Sequence, residues 1–152
     1  MLKKIKKYSH YINSIIVLLS FIIFMFVPIG GYKGNNEIVY KANGLSLTFG
    51  MNEGNYVIYN FNIIGIILMF LFLSCIILPF LMKKYCKCLI IVTAILMIIT
   101  SILFFIFPLT VQHASSYVKE LFIGLPFNYI GASLILLNGL YIVVFDLIKK
   151  EK

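Results

Sequence analysis

The stretch FNIIGIILMFLFLSCIILPFLMKK, Phe61 to Lys84, decides the fold. Between Asn62 and the pair Lys83-Lys84, its polar side chains are Ser74 and the thiol of Cys75. An apolar run of this kind reaches the roughly 20 residues that a helix needs to cross a hydrocarbon core about 30 Å thick. Three further runs share the pattern, so membrane helices are expected at 11–29, 61–82, 89–108 and 125–148. The chain is 62% hydrophobic and its mean hydropathy is +1.04. The expected class is an all-α integral membrane protein, a four-transmembrane-helix bundle forming one domain over residues 1–152.

Lysine placement sets the expected orientation. Lys3, Lys4, Lys6 and Lys7 precede the first run, Lys83, Lys84 and Lys87 fill or flank the 83–88 turn, and Lys149, Lys150 and Lys152 close the chain. The other connections hold Lys33, Lys41 and Lys119, balanced by Glu37, Glu53 and Glu120. The net charge of +8 therefore sits on one side. Short basic segments stay cytoplasmic, which puts both termini and the 83–88 turn inside and the loops 30–60 and 109–124 outside. The same charge suits anionic headgroups on the cytoplasmic side and leaves no reason to invoke nucleic acid. The first apolar run is long for a signal peptide and no A-x-A-like site follows it, so it reads as a retained span.

All thirteen basic residues are lysine and there is no Trp. With abundant Ile and Asn, this bias fits AT-rich coding, and a bacterial plasma membrane is the expected address. Cys86 and Cys88 fall in the inner turn and Cys75 inside the second span, so the outer loops hold no cysteine to form a disulfide.

The loop 30–60 is patterned. Asn43-Gly44 is a hairpin signal, because both central positions of a type I′ turn need positive φ. Residues 37–42 read as a strand before it, and Leu45, Leu47 and Phe49 alternate with Ser46 and Thr48 after it. With a turn at 50–54 and a third strand at 55–59, the expectation is a small antiparallel β-meander on the bundle top. Asn43, Gly44, Phe49, Tyr56 and Tyr59 are its candidate contact residues. In the second outer loop, Val111, Val118, Leu121 and Phe122 suit one face of a short interfacial helix.

A repeat runs through the chain. Phe61-Asn62 and Gly65 recur as Phe127-Asn128 and Gly131, and each group is followed at equal spacing by a lysine pair, Lys83-Lys84 or Lys149-Lys150. Phe24 precedes Pro28 as Phe104 precedes Pro108. Two parallel helical hairpins related by an axis along the membrane normal would produce this pattern.

Within the spans, Asp146 is the sole acid, one turn from Lys149 and Lys150, where an ion pair forms easily. Asn62, Gly65, Thr93, Thr100, Asn128, Gly131 and Asn138 are the candidate helix-packing residues. Small residues let helices approach, and amides and hydroxyls bond across them. A substrate site built from Asn62, Asn128 and Asn138 is the sharper alternative. His113 beside Ser115 and Ser116 lacks an acid or an elbow motif, and Cys86-x-Cys88 lacks further zinc ligands. Without a phosphate loop, dinucleotide fingerprint or metalloprotease helix, no enzyme activity, cofactor or metal is expected.

Four helices, inner termini and a β-forming first outer loop resemble the claudin-type tetraspan layout in topology. The W-G-L-W motif and paired cysteines of that family's first loop are missing here, so no residue role carries over. The small multidrug transporters also have four helices, but their embedded glutamate has no counterpart in the first span. The expected function is therefore that of a non-enzymatic accessory, subunit, envelope or immunity-type protein, with a membrane-protein partner or a homo-oligomer. A small oligomeric transporter or pore is the alternative.

Overall fold

A computed structural model describes residues 2–33, 38–53, 56–82, 87–111 and 122–144. The protein is mostly helical, and its long helices follow the apolar runs. Helix α1 covers Leu2–Phe26, α3 Ile63–Met82, α4 Lys87–Ile106 and α5 Pro126–Ile142, while the short helix α2 covers Gly44–Phe49. Among the described residues, two stretches are long and apolar enough to cross a membrane, Ile63–Leu81 and Cys88–Thr110. The apolar parts of the other two long helices, Tyr11–Phe26 and Pro126–Ile142, are shorter. Helix α1 begins well before the apolar run and ends before Pro28, consistent with the bias of a residue ahead of proline against helix. A 3-10 turn, Phe107–Thr110, extends α4. Residues 145–148, expected to complete the last span, lie outside the described residues.

Helix α1 packs on α3 and α5, and α4 packs on the same two, so the long helices close a ring in the order α1, α3, α4, α5. The core is aromatic. Phe24, Phe72, Phe104 and Phe107 are all fully buried. Phe24 lies 5.5 Å from Phe72, 5.6 Å from Phe104 and 5.5 Å from Phe107 by ring centroid, and Phe72 lies 5.5 Å from Phe104. These are the separations at which tilted and edge-on aromatic pairs attract.

The ring order also suits the repeat, since α1 and α4 occupy opposite corners, as do α3 and α5. Burial agrees closely in the first pair. The buried positions Asn13, Ser14, Val17, Ser20 and Phe24 of α1 match the buried Thr93, Ala94, Met97, Thr100 and Phe104 of α4 in order and spacing. Ser20 bonds the carbonyl of Ile16, and Thr100 that of Leu96. The second pair agrees at Gly65 with Gly131 and at Phe72 with Asn138, then diverges: Leu68 is buried while Leu134 is exposed.

The cap at this end of the bundle differs from the expected meander. Residues 44–49 are helical, and Gly44 does not have a positive φ; among the described residues Gly50 does, at 90°. The Asn43 side chain takes the amide of Ser46 at 2.9 Å, acting as a helix cap where a hairpin turn was expected. Helical spacing then buries Gly44, Leu47 and Thr48 on one face, which the alternation of Leu45, Leu47 and Phe49 does not describe. Tertiary contact decides the matter: a Cβ at Gly44 would stand 2.6 Å from the Phe24 ring, and one at Gly65 would run into the Thr48 side chain.

Strands do form around this helix. β1 (Gly30–Lys33) lies between β2 (Ile38–Ala42) and β5 (Phe122–Gly124), antiparallel to both, with Gly30 opposite Ala42 on one side and Gly124 on the other. β3 (Met51–Glu53) and β4 (Tyr56–Tyr59) make a separate hairpin. The strands expected at 37–42 and 55–59 are thus present within a residue. The expected strand at 45–49 is replaced by α2, and Phe122 belongs to β5 rather than to an interfacial helix. Val118 and Leu121 lie outside the described residues.

The cap of α2 separates the two readings of Asn43. Asn43→Ala should lower thermal stability by about 1 kcal/mol, while Asn43→Ser, a comparable cap, should be nearly neutral. A type I′ turn would tolerate neither. Melting curves of the purified variants in detergent distinguish these outcomes.

Candidate functional site

The polar side chains of the helices meet at the helix interfaces. Asn138 Nδ2 on α5 donates to the backbone carbonyl of Asn13 on α1 at 3.0 Å. Ser14 Oγ on α1 donates to the carbonyl of Ile76 on α3 at 2.8 Å. Ser101 Oγ on α4 donates to that of Ala132 on α5 at 2.7 Å, and Asn128 Nδ2 on α5 to that of Phe105 on α4 at 3.2 Å. Each carbonyl oxygen has two lone pairs, so one inside a helix accepts an interhelical bond beside its own. Three of the four ring contacts are stitched this way. The fourth, α3 on α4, has Cys75 Sγ and Thr100 Oγ1 at 3.4 Å.

Several candidate residues have local duties. Asn62 caps α3 by accepting the amide of Ile64 at 3.0 Å, and its Nδ2 donates to the carbonyl and hydroxyl of Thr110 at 3.2 and 3.0 Å. It thereby ties the start of α3 to the 3-10 turn. Thr93 and Thr100 bond the carbonyls of Leu89 and Leu96 within α4. Gly65 and Gly131 are buried, and a Cβ at Gly131 would lie 2.6 Å from the Phe104 ring. The three asparagines of the sharper alternative do not converge. Asn62 and Asn128 serve the N-terminal ends of α3 and α5, whereas Asn138 bonds α1 near its middle, at Asn13.

In the cap, Gly44 and Tyr59 are buried, Asn43 is half-buried, and Phe49 is 58% exposed. Tyr56 contributes its backbone to β4. Phe49 overhangs a lateral groove of about 310 Å³ between α1 and α3, lined by Phe21, Ile66, Met69, Phe70 and Leu73. Cys75 is buried and Cys88 exposed. His113, Cys86 and Asp146 lie outside the described residues.

Asn13, Ser14 and Ser101 are contributors that sequence reasoning passed over. Asn13 and Ser14 sit as a pair near the start of an apolar run, and Ser101 stands beside Thr100 inside one. The repeat held the missing signal: extended to α1, it places Asn13 opposite Thr93. No family model, curated protein or solved structure matches this chain.

Gly131 and Asn138 differ in what a larger or apolar side chain would meet. Gly131→Leu should destabilise the bundle by about 1–3 kcal/mol, since the added atoms overlap the Phe104 ring. Asn138→Leu removes one interhelical bond, worth roughly 0.6–2 kcal/mol. Thermal melting in detergent should rank Gly131→Leu below Asn138→Leu and both below the parent. Gly131→Leu melting no lower than the parent would show that this face is not a close crossing.

Proposed function

We propose that this chain is a four-span protein of a bacterial plasma membrane, with both termini cytoplasmic, acting as a non-enzymatic partner of another membrane protein. The observation that carries the membrane part is the outer surface of the helices. Phe26, Ile63, Phe70, Ile77, Ile102 and Leu137 are each more than half exposed. Large apolar side chains at this density mark contact with lipid or with another protein. The lysine asymmetry supports the orientation.

The partner role rests on how the polar groups and the surface are used. Inside, where a pore through one protomer would run, the buried phenylalanines fill the space. The interhelical amides and hydroxyls end mainly on backbone carbonyls, which makes them adhesive. Outside, the groove beneath Phe49 offers an apolar seat on α1 and α3. An ordered cap built from both outer loops adds a second surface at which specificity can arise.

Two experiments test this. In a background lacking Cys75, Cys86 and Cys88, single cysteines at Lys41 and Ser116 should react with an impermeant thiol reagent in intact cells, and one at Lys84 should not. Labelling at position 84 but not 41 would invert the topology. Gentle detergent extraction should recover the protein with a membrane partner in fixed stoichiometry. Recovery of the chain alone, together with solute flux in proteoliposomes, would overturn the partner role.

A further inference from the structure

A second lateral groove lies between α1 and α5 and encloses about 350 Å³. Ile12 and Ile16 wall it from α1, Leu134 and Leu137 from α5, and Asn13 and Asn138 lie at its base. Its walls are exposed: Ile12 to 44%, Leu134 to 36% and Leu137 to 63%. The base is unlike the walls. Asn13 is 1% exposed, and its Nδ2 is buried without a hydrogen-bond partner. A buried donor is costly while unpaired, so this groove holds a polar demand that the folded chain leaves unmet.

Resting on the membrane reading above, we propose that this groove binds one acyl chain of a glycerophospholipid, with the lipid's ester carbonyl accepting from Asn13 Nδ2. Depth selects this occupant. Tyr11 precedes Asn13 by two residues, and Tyr141 follows Asn138 by three and lines the same groove. Tyrosines of this kind settle at the level of the headgroups. At about 1.5 Å per residue, the two asparagines lie roughly 3–5 Å deeper. That is the level at which a lipid carries its ester carbonyls, above the hydrocarbon. A turn about the terminal side-chain torsion of Asn13, which is broad and soft, presents the amide to the groove it lines. The walls then take the methylenes that follow the ester. The lysines around the inner ends of α1 and α5 favour an anionic headgroup.

The chain has no Trp, so a single introduced Trp is a clean reporter. Leu140→Trp places it beside the groove without lining it, and Ile77→Trp places it on α3, which is not a neighbour of α5 in the ring. Each variant is reconstituted into phosphatidylcholine vesicles containing a minor fraction of phosphatidylglycerol with brominated acyl chains. Fluorescence should be quenched more steeply at position 140 than at position 77. The excess should vanish when the brominated lipid is joined by ether links, which lack the carbonyl, and when Asn13→Leu is added. The ether-lipid arm keeps Asn13 intact, so it stands even if Asn13→Leu misfolds. Equal quenching at both positions would overturn the lipid site while leaving membrane insertion intact. Weaker quenching at 140 than at 77 would overturn it in favour of a protein covering the groove. No quenching at either position in fully brominated vesicles would instead sink the membrane reading itself.

Discussion

Phe24 is the point on which the structure converges. Its ring touches Phe72 of α3, Phe104 of α4 and Phe107 of the 3-10 turn, and Gly44 of α2 rests against it. Phe104 in turn faces Gly131 of α5. Every helix is therefore one or two contacts from one side chain. On the proposed membrane reading, apolar burial gives helices little reason to prefer each other over acyl chains, so close packing must supply the preference. Rings that interlock at fixed angles do this well, because each atom contact is lost when the shapes part. The glycines at 44 and 131 follow from the rings: they stand where any side chain would occupy the space that Phe24 and Phe104 require.

Much of this was legible beforehand, for reasons that differ by element. The cores of α3 and α4 follow from length and apolarity alone. The strands at 38–42 and 56–59 follow from β-branched and aromatic runs flanked by turn residues. Residues 43–49 misled because Asn-Gly followed by alternating Leu, Leu and Phe satisfies a hairpin rule, while Asn is equally a helix cap. The choice was made by Phe24 and Gly65, which are distant in sequence. Gly30-Gly31 and Phe122 were illegible as strands, since β1 opens on two glycines that declare no pattern and its second partner, β5, lies far along the chain. Of the candidate site, Gly131 faces the Phe104 ring of α4 and Asn138 bonds α1. Asn13, Asn138's partner, was missed because the acceptor is its backbone, which no residue identity advertises.

The buried polar groups illustrate a general economy. An ionised group in the helix core would demand a partner and water, whereas an amide or hydroxyl can use the spare lone pair of a helical carbonyl. Among the described residues, four neutral donors are so spent between long helices, from Ser14, Ser101, Asn128 and Asn138. The result is adhesion between helices without a continuous hydrophilic path. Among the described residues, two atoms fall outside this economy, Asn13 Nδ2 and Asn128 Oδ1. They lie on opposite sides of the apolar slab, one toward each membrane face on the proposed orientation.

The sheet of β1, β2 and β5 has a consequence in time. β1 meets β2 across a short loop, but its other edge is completed by Phe122–Gly124, which the ribosome adds only after α1, α3 and α4 have been made. Until then β1 carries an unpaired row of amides and carbonyls, the kind of edge that recruits a wrong strand. Closing so long a loop is also slow. The nascent unit of α1 and α3 is therefore unfinished, and the arrival of β5 ahead of α5 closes the open edge of its sheet.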